Sequence, residues 1–134
     1  MKLLSNLLAS LALLVALGAQ AEPAAPAGGY AYFAFEPDII TNYINKGRKL
    51  GYVRVTVEVM VDNESNLTHI EHHSPLIRDA IIEILGKQDY DDIRSLDGRE
   101  EIRRRCLEVV NDLLVQETGR KMVNNLLFTK YLYQ

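Results

Sequence analysis

The chain has 134 residues, of which 48% are hydrophobic and 25% are charged. These proportions are those of an ordinary globular protein, and the length allows one domain of roughly 100 residues once a targeting segment is subtracted. The formal net charge of −3 disfavours a surface that binds nucleic acid, so we expect no nucleic-acid partner.

Residues 1–21 have the pattern of a signal peptide. An apolar stretch at residues 3–17 follows a single lysine, and small residues precede Glu22 at the two positions that a signal peptidase reads. We therefore predict cleavage between Ala21 and Glu22 and export to the periplasm. The alternative is an uncleaved inner-membrane anchor at residues 3–19, although this stretch is shorter than the ~20 residues that a spanning helix needs.

The predicted domain follows a linker. Residues 22–29 (EPAAPAGG) contain Pro and Gly but no large apolar side chain to bury, so an extended conformation is expected. The folded domain is then expected at residues 30–134. Its first elements are a short or edge strand at residues 30–35 and a β-branched segment at residues 38–44, which could be strand or irregular.

The clearest predicted strand covers residues 52–61. Valine occupies every odd position from Val53 to Val61 and alternates with mostly polar residues, which is the period of a β-strand. One face is therefore buried and the other largely exposed, which favours an antiparallel or mixed sheet. Burial of each valine contributes ~1.5–3 kcal/mol of transfer free energy, so this strand is expected to anchor the sheet.

Three histidines occur in residues 67–73, which we predict to be a strand that returns beside the valine strand. Imidazole groups are common ligands of zinc and copper. On a strand, however, His69 and His73 would lie ~13 Å apart and His72 would point to the opposite face. Surface histidines are therefore the favoured interpretation, and a metal site is the alternative.

The next predicted element is an amphipathic helix. It is expected to begin with Ser74 as its N-cap and Pro75 at the first helical position, and to end at Gly86. Residues 89–94 could form one further helical turn. The predicted buried face of the helix comprises Ile77, Ala80, Ile81, Ile84 and Leu85.

A longer helix is predicted from about residues 95–97 to Gly119, with a capping box of Asp97 and Glu100. The basic run at residues 103–105 has glutamates within one helical turn, so it is predicted to be a solvated, salt-bridged face. The predicted buried face comprises Ile102, Cys106, Val109, Val110 and Leu113.

Residues 122–133 lack helical periodicity and are rich in aromatic and β-favouring residues, so they are predicted to be a terminal strand beside the valine strand. The order of elements predicts an α+β fold. In this fold, helices pack on one face of a small, mainly antiparallel sheet.

The sequence contains no pattern typical of an active site. Cys106 lies among apolar helix residues, so a buried thiol is favoured over a nucleophile. Ser74 lacks a GxSxG elbow, neighbouring carboxylates diverge on a helix, and there is no glycine-rich phosphate loop. We therefore expect a protein that is not an enzyme and that uses no cofactor or metal.

Several motifs occur in an order that resembles the flagellar basal body-associated FliL family, over roughly residues 34–134. The most specific are Pro75-x-x-Arg78-Asp79 at the start of the first helix, Asn111 with its apolar neighbours in the second, and Phe128-Thr129 with Gln134 in the last segment. The positions that carry the resemblance, and that are candidate structural or interaction positions, are Pro75, Arg78, Asp79, Gly98, Asn111, Phe128 and Gln134.

The resemblance implies a bacterial protein at the flagellar motor. Its periplasmic domain would be similar to stomatin/prohibitin-type domains and would form a homo-oligomeric ring at the ion-driven stator, supporting its assembly and torque. FliL-like proteins usually keep an N-terminal membrane helix, whereas cleavage after Ala21 would release this chain. The alternative function is a periplasmic metal- or ligand-binding module that uses His69, His72 and His73.

Overall fold

The computed structural model describes residues 29–47 and 50–134. The predicted signal peptide, its cleavage site and most of the predicted linker therefore lie outside the described residues. The strands are β1 (Ala31–Ala34), β2 (Ile39–Tyr43), β3 (Gly51–Val61) and β4 (Val123–Tyr133), and the helices are α1 (Leu67–His72), α2 (Ser74–Gly86), α3 (Tyr90–Arg94) and α4 (Leu96–Thr118).

β3 is the centre of the sheet, because both of its edges are paired. β1 and β2 lie end to end along one edge and pair antiparallel with the two halves of β3. β4 pairs antiparallel with the other edge, from Val61 opposite Val123 to Val53 opposite Tyr133. The predicted antiparallel sheet and the predicted terminal strand beside the valine strand are thus confirmed.

The hydrophobic core lies between the helices and one face of this sheet. Each of the five valines of β3 is at most 1% exposed, as the alternation predicts. α2 packs on β2 and α4 packs on β4, so the helices cover one face only, as predicted. The hydrophobic side chains of α2 and α4 that are fully or nearly fully buried are Ile77, Ile81, Ile84, Leu85, Ile102, Cys106, Val110 and Leu114.

The strand predicted at residues 67–73 is wrong, because this segment forms α1 with Ile70 buried. Both edges of β3 are already paired, so no edge beside the valines is left for a returning strand. The preceding turn also favours a helix. The side chain of Asn63 accepts a hydrogen bond from the Ser65 N–H at 2.9 Å and so caps the 3-10 turn that leads into α1.

The predicted N-cap of α2 is also wrong. Ser74 is already helical, and His73 occupies the cap position without a side-chain hydrogen bond. The reason is that α1 leads directly into α2, so the His73 carbonyl accepts the Ile77 N–H at 3.0 Å. Pro75 is therefore the second residue of α2 and not the first, although it still lies in the first turn.

α4 begins and ends close to the predicted residues, but a different residue caps it. The hydroxyl of Ser95, and not the Asp97 carboxylate, accepts the hydrogen bond at the N-terminus, from the Gly98 N–H at 3.0 Å. Gly119 ends the helix with a left-handed φ of 87°. The buried face is also rotated, because Asn111 is buried whereas Leu113 is only half-buried.

Candidate interaction surface

The sheet face opposite the helices is the candidate functional surface, and we call it the outer face. It carries the even-numbered residues of β3 and their partners on β2 and β4, so that Ile40 and Leu132 flank Arg54. Ile40, Tyr52 and Leu132 are 61%, 50% and 55% exposed. Isolated exposed apolar side chains are common, but these share one surface.

A polar network around Asp38 occupies the middle of the outer face. The Asp38 carboxylate accepts hydrogen bonds from Arg54 Nε and from Thr56 Oγ1, both at 2.7 Å, and Lys130 Nζ lies 3.8 Å away. These contacts join the start of β2 to β3 and β4. The hydrogen bonds from Thr56 and Arg54 hold the pKa of Asp38 below its ordinary value. Asp38 has no distinctive signal in the sequence, because a carboxylate beside a proline resembles any turn residue.

Removal of the Thr56 hydroxyl is expected to raise the pKa of Asp38. Because the folded-state pKa is depressed, the network stabilises the fold above the unfolded-state pKa and is lost as the pH falls through the folded-state pKa. NMR titration of the Asp38 carboxyl in the Thr56→Val variant measures this shift. Thr129→Val is the matched control, since the Thr129 hydroxyl contacts the Thr56 carbonyl instead. Equal pKa values in wild type and Thr56→Val would contradict the assigned cause.

The motif at the start of α2 contains one residue with a tertiary contact. Arg78 Nη1 donates a hydrogen bond to the Pro37 carbonyl at 2.6 Å, which ties α2 to the segment between β1 and β2. Pro75 and Asp79 are exposed on α2. Arg78 therefore has a structural role, whereas the structure shows only exposure for Pro75 and Asp79, whose role in interaction stays a prediction.

Asn111 joins α4 to the start of β4. Its side-chain amide donates a hydrogen bond to the Val123 carbonyl at 2.9 Å, and its Oδ1 accepts from the N–H groups of Val123 at 3.0 Å and Met122 at 3.3 Å. The amide thereby binds the backbone as a neighbouring strand would. This explains why a polar residue is buried on the inner side of α4.

Gly98, in the first turn of α4, lies against the backbone of Asp92 in α3. A Cβ atom at this position would lie 2.1 Å from the backbone oxygen of Asp92. Only glycine allows this approach, so the motif position is structural.

The two remaining motif positions lie on and just after β4. Phe128 is half-buried on the inner face opposite Val57, with its ring centroid 5.6 Å from that of Tyr131. The backbone of Gln134 exchanges hydrogen bonds with that of Tyr52, and the Tyr43 hydroxyl donates to the Gln134 carbonyl. These contacts extend the ladder one residue beyond β4.

The histidines do not converge on a metal site. They lie on α1 and at its C-cap, where the rings of His72 and His73 are 4.8 Å apart. Within the described residues, no group of three or more His, Cys, Asp or Glu side chains is placed to hold an ion. The metal-binding alternative thus gains no support.

Cys106 is buried in the core, as predicted. Burial raises the pKa of its thiol to about 12, so the reactive thiolate is scarce near neutral pH. The basic run beside it is salt-bridged as predicted, with Arg103 paired to Glu100 and Arg104 to Glu101.

Comparisons with known proteins indicate the same family as the sequence motifs do. The family model described as "Flagellar basal body-associated protein FliL" matches residues 32–134. A curated relative, "Flagellar protein FliL" of Aquifex aeolicus (strain VF5), is 31% identical over 102 residues, which are 76% of this chain and 60% of that protein. The chain thus spans about 60% of the length of that relative. In residues 29–47 and 50–134, no helix has the length and apolar content needed to cross a bilayer. The chain belongs to the FliL family of flagellar basal body-associated proteins.

Proposed function

We propose that this protein is a non-enzymatic component of the flagellar basal body that associates with the motor stator and supports rotation, swimming or swarming. The observation that carries the proposal is the family match, which extends over residues 32–134 and so includes almost the whole described domain. A role in contacts between proteins also suits a domain whose outer face exposes Ile40, Tyr52 and Leu132.

The proposed location is the periplasm, at the inner membrane beside the basal body. In this arrangement residues 1–21 are a cleaved signal peptide or a retained membrane segment, residues 22–29 are a linker, and residues 30–134 are the working domain. Several copies would assemble as a ring at the stator. The similarity to stomatin/prohibitin-type domains remains a prediction that is consistent with the α+β fold.

Deletion of the gene is expected to impair swimming under high load or swarming, and the wild-type gene is expected to restore both. The variant Ile40→Glu tests the outer face, because position 40 is exposed and opposite Arg54, so the new carboxylate is expected to be tolerated by the fold. It is expected to reproduce part of the deletion defect at normal protein levels. Load-dependent rotation speed and stator recruitment measure the effect.

The matched control is Leu96→Glu, which adds the same charge at an exposed leucine in the first turn of α4, away from the sheet. It is expected to behave as wild type. Normal motility and normal stator recruitment in the deletion strain would refute the proposed function. A defect in Leu96→Glu equal to that in Ile40→Glu would refute the role of the outer face.

A further inference from the structure

The end of β4 has one side that no strand of the described chain covers. Gln134 exchanges both of its backbone hydrogen bonds with Tyr52 of β3. Successive residues of a strand direct these groups to opposite sides, so Leu132 also faces β3, whereas Tyr131 and Tyr133 face away from it. No hydrogen bond from the described residues reaches the outward backbone groups of these two tyrosines. We call the two tyrosines, with Leu132 between them, the open edge.

Side chains of α4 close the earlier part of the same side of β4. Asn111 binds both the N–H and the C=O of Val123, and Arg103 Nη1 donates a hydrogen bond to the Leu126 carbonyl at 3.1 Å. An approaching strand would have to displace these contacts. This side of β4 is therefore protected at its beginning and open at its end.

The guanidinium group of Arg99 lies beside the open edge. Arg99 precedes Arg103 by four residues, so both side chains lie on the same side of α4, along β4. The central carbon of the guanidinium is 4.2 Å from the centroid of the Tyr131 ring. The ring thus holds a positive charge next to backbone groups that have no strand partner.

The guanidinium of Arg99 has a donor that lacks an acceptor. Its Nε is buried and forms no hydrogen bond in the part of the chain that the structure describes. The three arginines at residues 103–105 are each paired with a glutamate, whereas Arg99 forms no ion pair with a described residue. A buried donor without an acceptor is unfavourable, and a carboxylate is the strongest acceptor for a guanidinium. A carboxylate supplied by a partner would satisfy this donor.

We propose that the open edge binds an extended segment of another protein that carries an acidic residue. The segment lies antiparallel beside β4 as a further strand, and its backbone pairs with the outward groups of Tyr131 and Tyr133. The residue opposite Tyr131 is Asp or Glu, and its side chain lies on the helix-covered face and binds Arg99. The residue opposite Leu132 is apolar, because Leu132 is 55% exposed on the outer face.

The acidic residue distinguishes this occupant from a second copy of the chain. Residues 122–134 contain no Asp or Glu, so the last strand of a second copy would offer Arg99 no carboxylate. Among the described strands, only β3 contains an acidic residue, and both of its edges are already paired. An acidic partner strand must therefore come from a different protein.

This inference goes beyond the proposed function and does not depend on it. The open edge offers backbone groups and Arg99, and neither of these belongs to the outer face. The test below measures binding of a peptide to the isolated chain, without reference to motility. Failure of peptide binding and failure of the motility experiment are therefore distinguishable.

Binding of two short peptides to the purified full chain tests the proposal. One peptide alternates threonine and valine, has blocked ends and carries a central glutamate in place of a threonine; the other carries glutamine there. The glutamate peptide is expected to bind about tenfold more tightly, because hydrogen bonds between charged groups are the stronger ones. Its binding is also expected to slow hydrogen exchange at the amides of Tyr131 and Tyr133, whereas the Leu132 amide already faces β3.

The variant Arg99→Gln is expected to remove the preference for the glutamate peptide and to leave the affinity for the glutamine peptide unchanged. Arg104→Gln is the matched control, because Arg104 is an exposed arginine of the same helix that is paired with Glu101. It is expected to keep the tenfold preference. The peptide comparison and the exchange measurement on the wild-type chain need no variant, so they decide the question even if Arg99→Gln does not fold.

The proposal is overturned if neither peptide binds, if both bind equally to the wild-type chain, or if binding leaves exchange at Tyr131 and Tyr133 unchanged. Exchange at these amides that slows with rising concentration of the chain alone would show a second copy at the open edge, and would also overturn it. A preference for glutamate that is lost only in Arg99→Gln, together with slowed exchange at both tyrosines, supports it.

Discussion

Replacement of Gly98 by alanine is expected to be one of the most destabilising single substitutions in the domain. The new Cβ would lie 2.1 Å from the backbone oxygen of Asp92 and 2.7 Å from its Cα atom. Backbone atoms cannot rotate away as a side chain can, so α3 must shift relative to α4. We expect the free energy of unfolding to fall by about 3 kcal/mol, at the upper end of typical overpacking effects. Urea denaturation followed by circular dichroism measures this loss.

Gly86 provides the matched control within a helix. A Cβ atom there would meet only the Asn42 carbonyl oxygen, at an ordinary contact distance of 3.7 Å. Gly86→Ala is therefore expected to leave stability unchanged or to raise it by about 0.5–1 kcal/mol, because alanine restricts the unfolded chain and favours the helix. If Gly98→Ala were as benign as Gly86→Ala, the close approach of α3 and α4 would not require glycine.

Substitution of Asn111 by leucine is the second change with a large expected effect. Leucine has a similar size but cannot bind the N–H and C=O of Val123, and a buried polar group without a partner costs about 1–3 kcal/mol. Since both the N–H and the C=O of Val123 lose their partner in this variant, we expect the free energy of unfolding to fall by about 3 kcal/mol. Hydrogen exchange at the Val123 amide is expected to accelerate as well.

The control for this position is Asn42→Ala. Asn42 is exposed, and its side chain makes one long hydrogen bond of 3.5 Å to the Gly51 carbonyl. Its replacement is expected to change stability by no more than about 0.5 kcal/mol. A loss in Asn111→Leu no larger than in Asn42→Ala would show that the contacts between α4 and β4 contribute little to stability.

The parts of the fold with a strong local pattern were predictable from the sequence. The alternating valines of β3 identify both the strand and its buried face, and the spacing of Ile77, Ile81 and Ile84 identifies the packed side of α2. The spacing of these residues predicts which face is buried, because burial of apolar side chains is what stabilises each element.

The predictions were wrong or incomplete where contacts with distant parts of the chain determine the local structure. Residues 67–72 form a helix and not a strand because β4 already pairs with the edge of β3. No pattern in residues 67–73 indicates that this edge is occupied. The spacing of Leu67 and Ile70 was the available helical signal. Burial of Asn111 could not be derived from hydrophobicity, since its partners belong to a distant strand. The resemblance to a family was the only route from the sequence to this position.

The pairing of β3 with β4 joins segments that are far apart along the chain, since Val53 lies opposite Tyr133. The buried valine face of β3 therefore stays incompletely packed until β4 has formed. Pairing of strands so far apart along the chain is slow compared with helix formation, because the entropy of loop closure is lost before the contacts form. The domain is therefore complete only when β4, the last strand of the described residues, has joined β3.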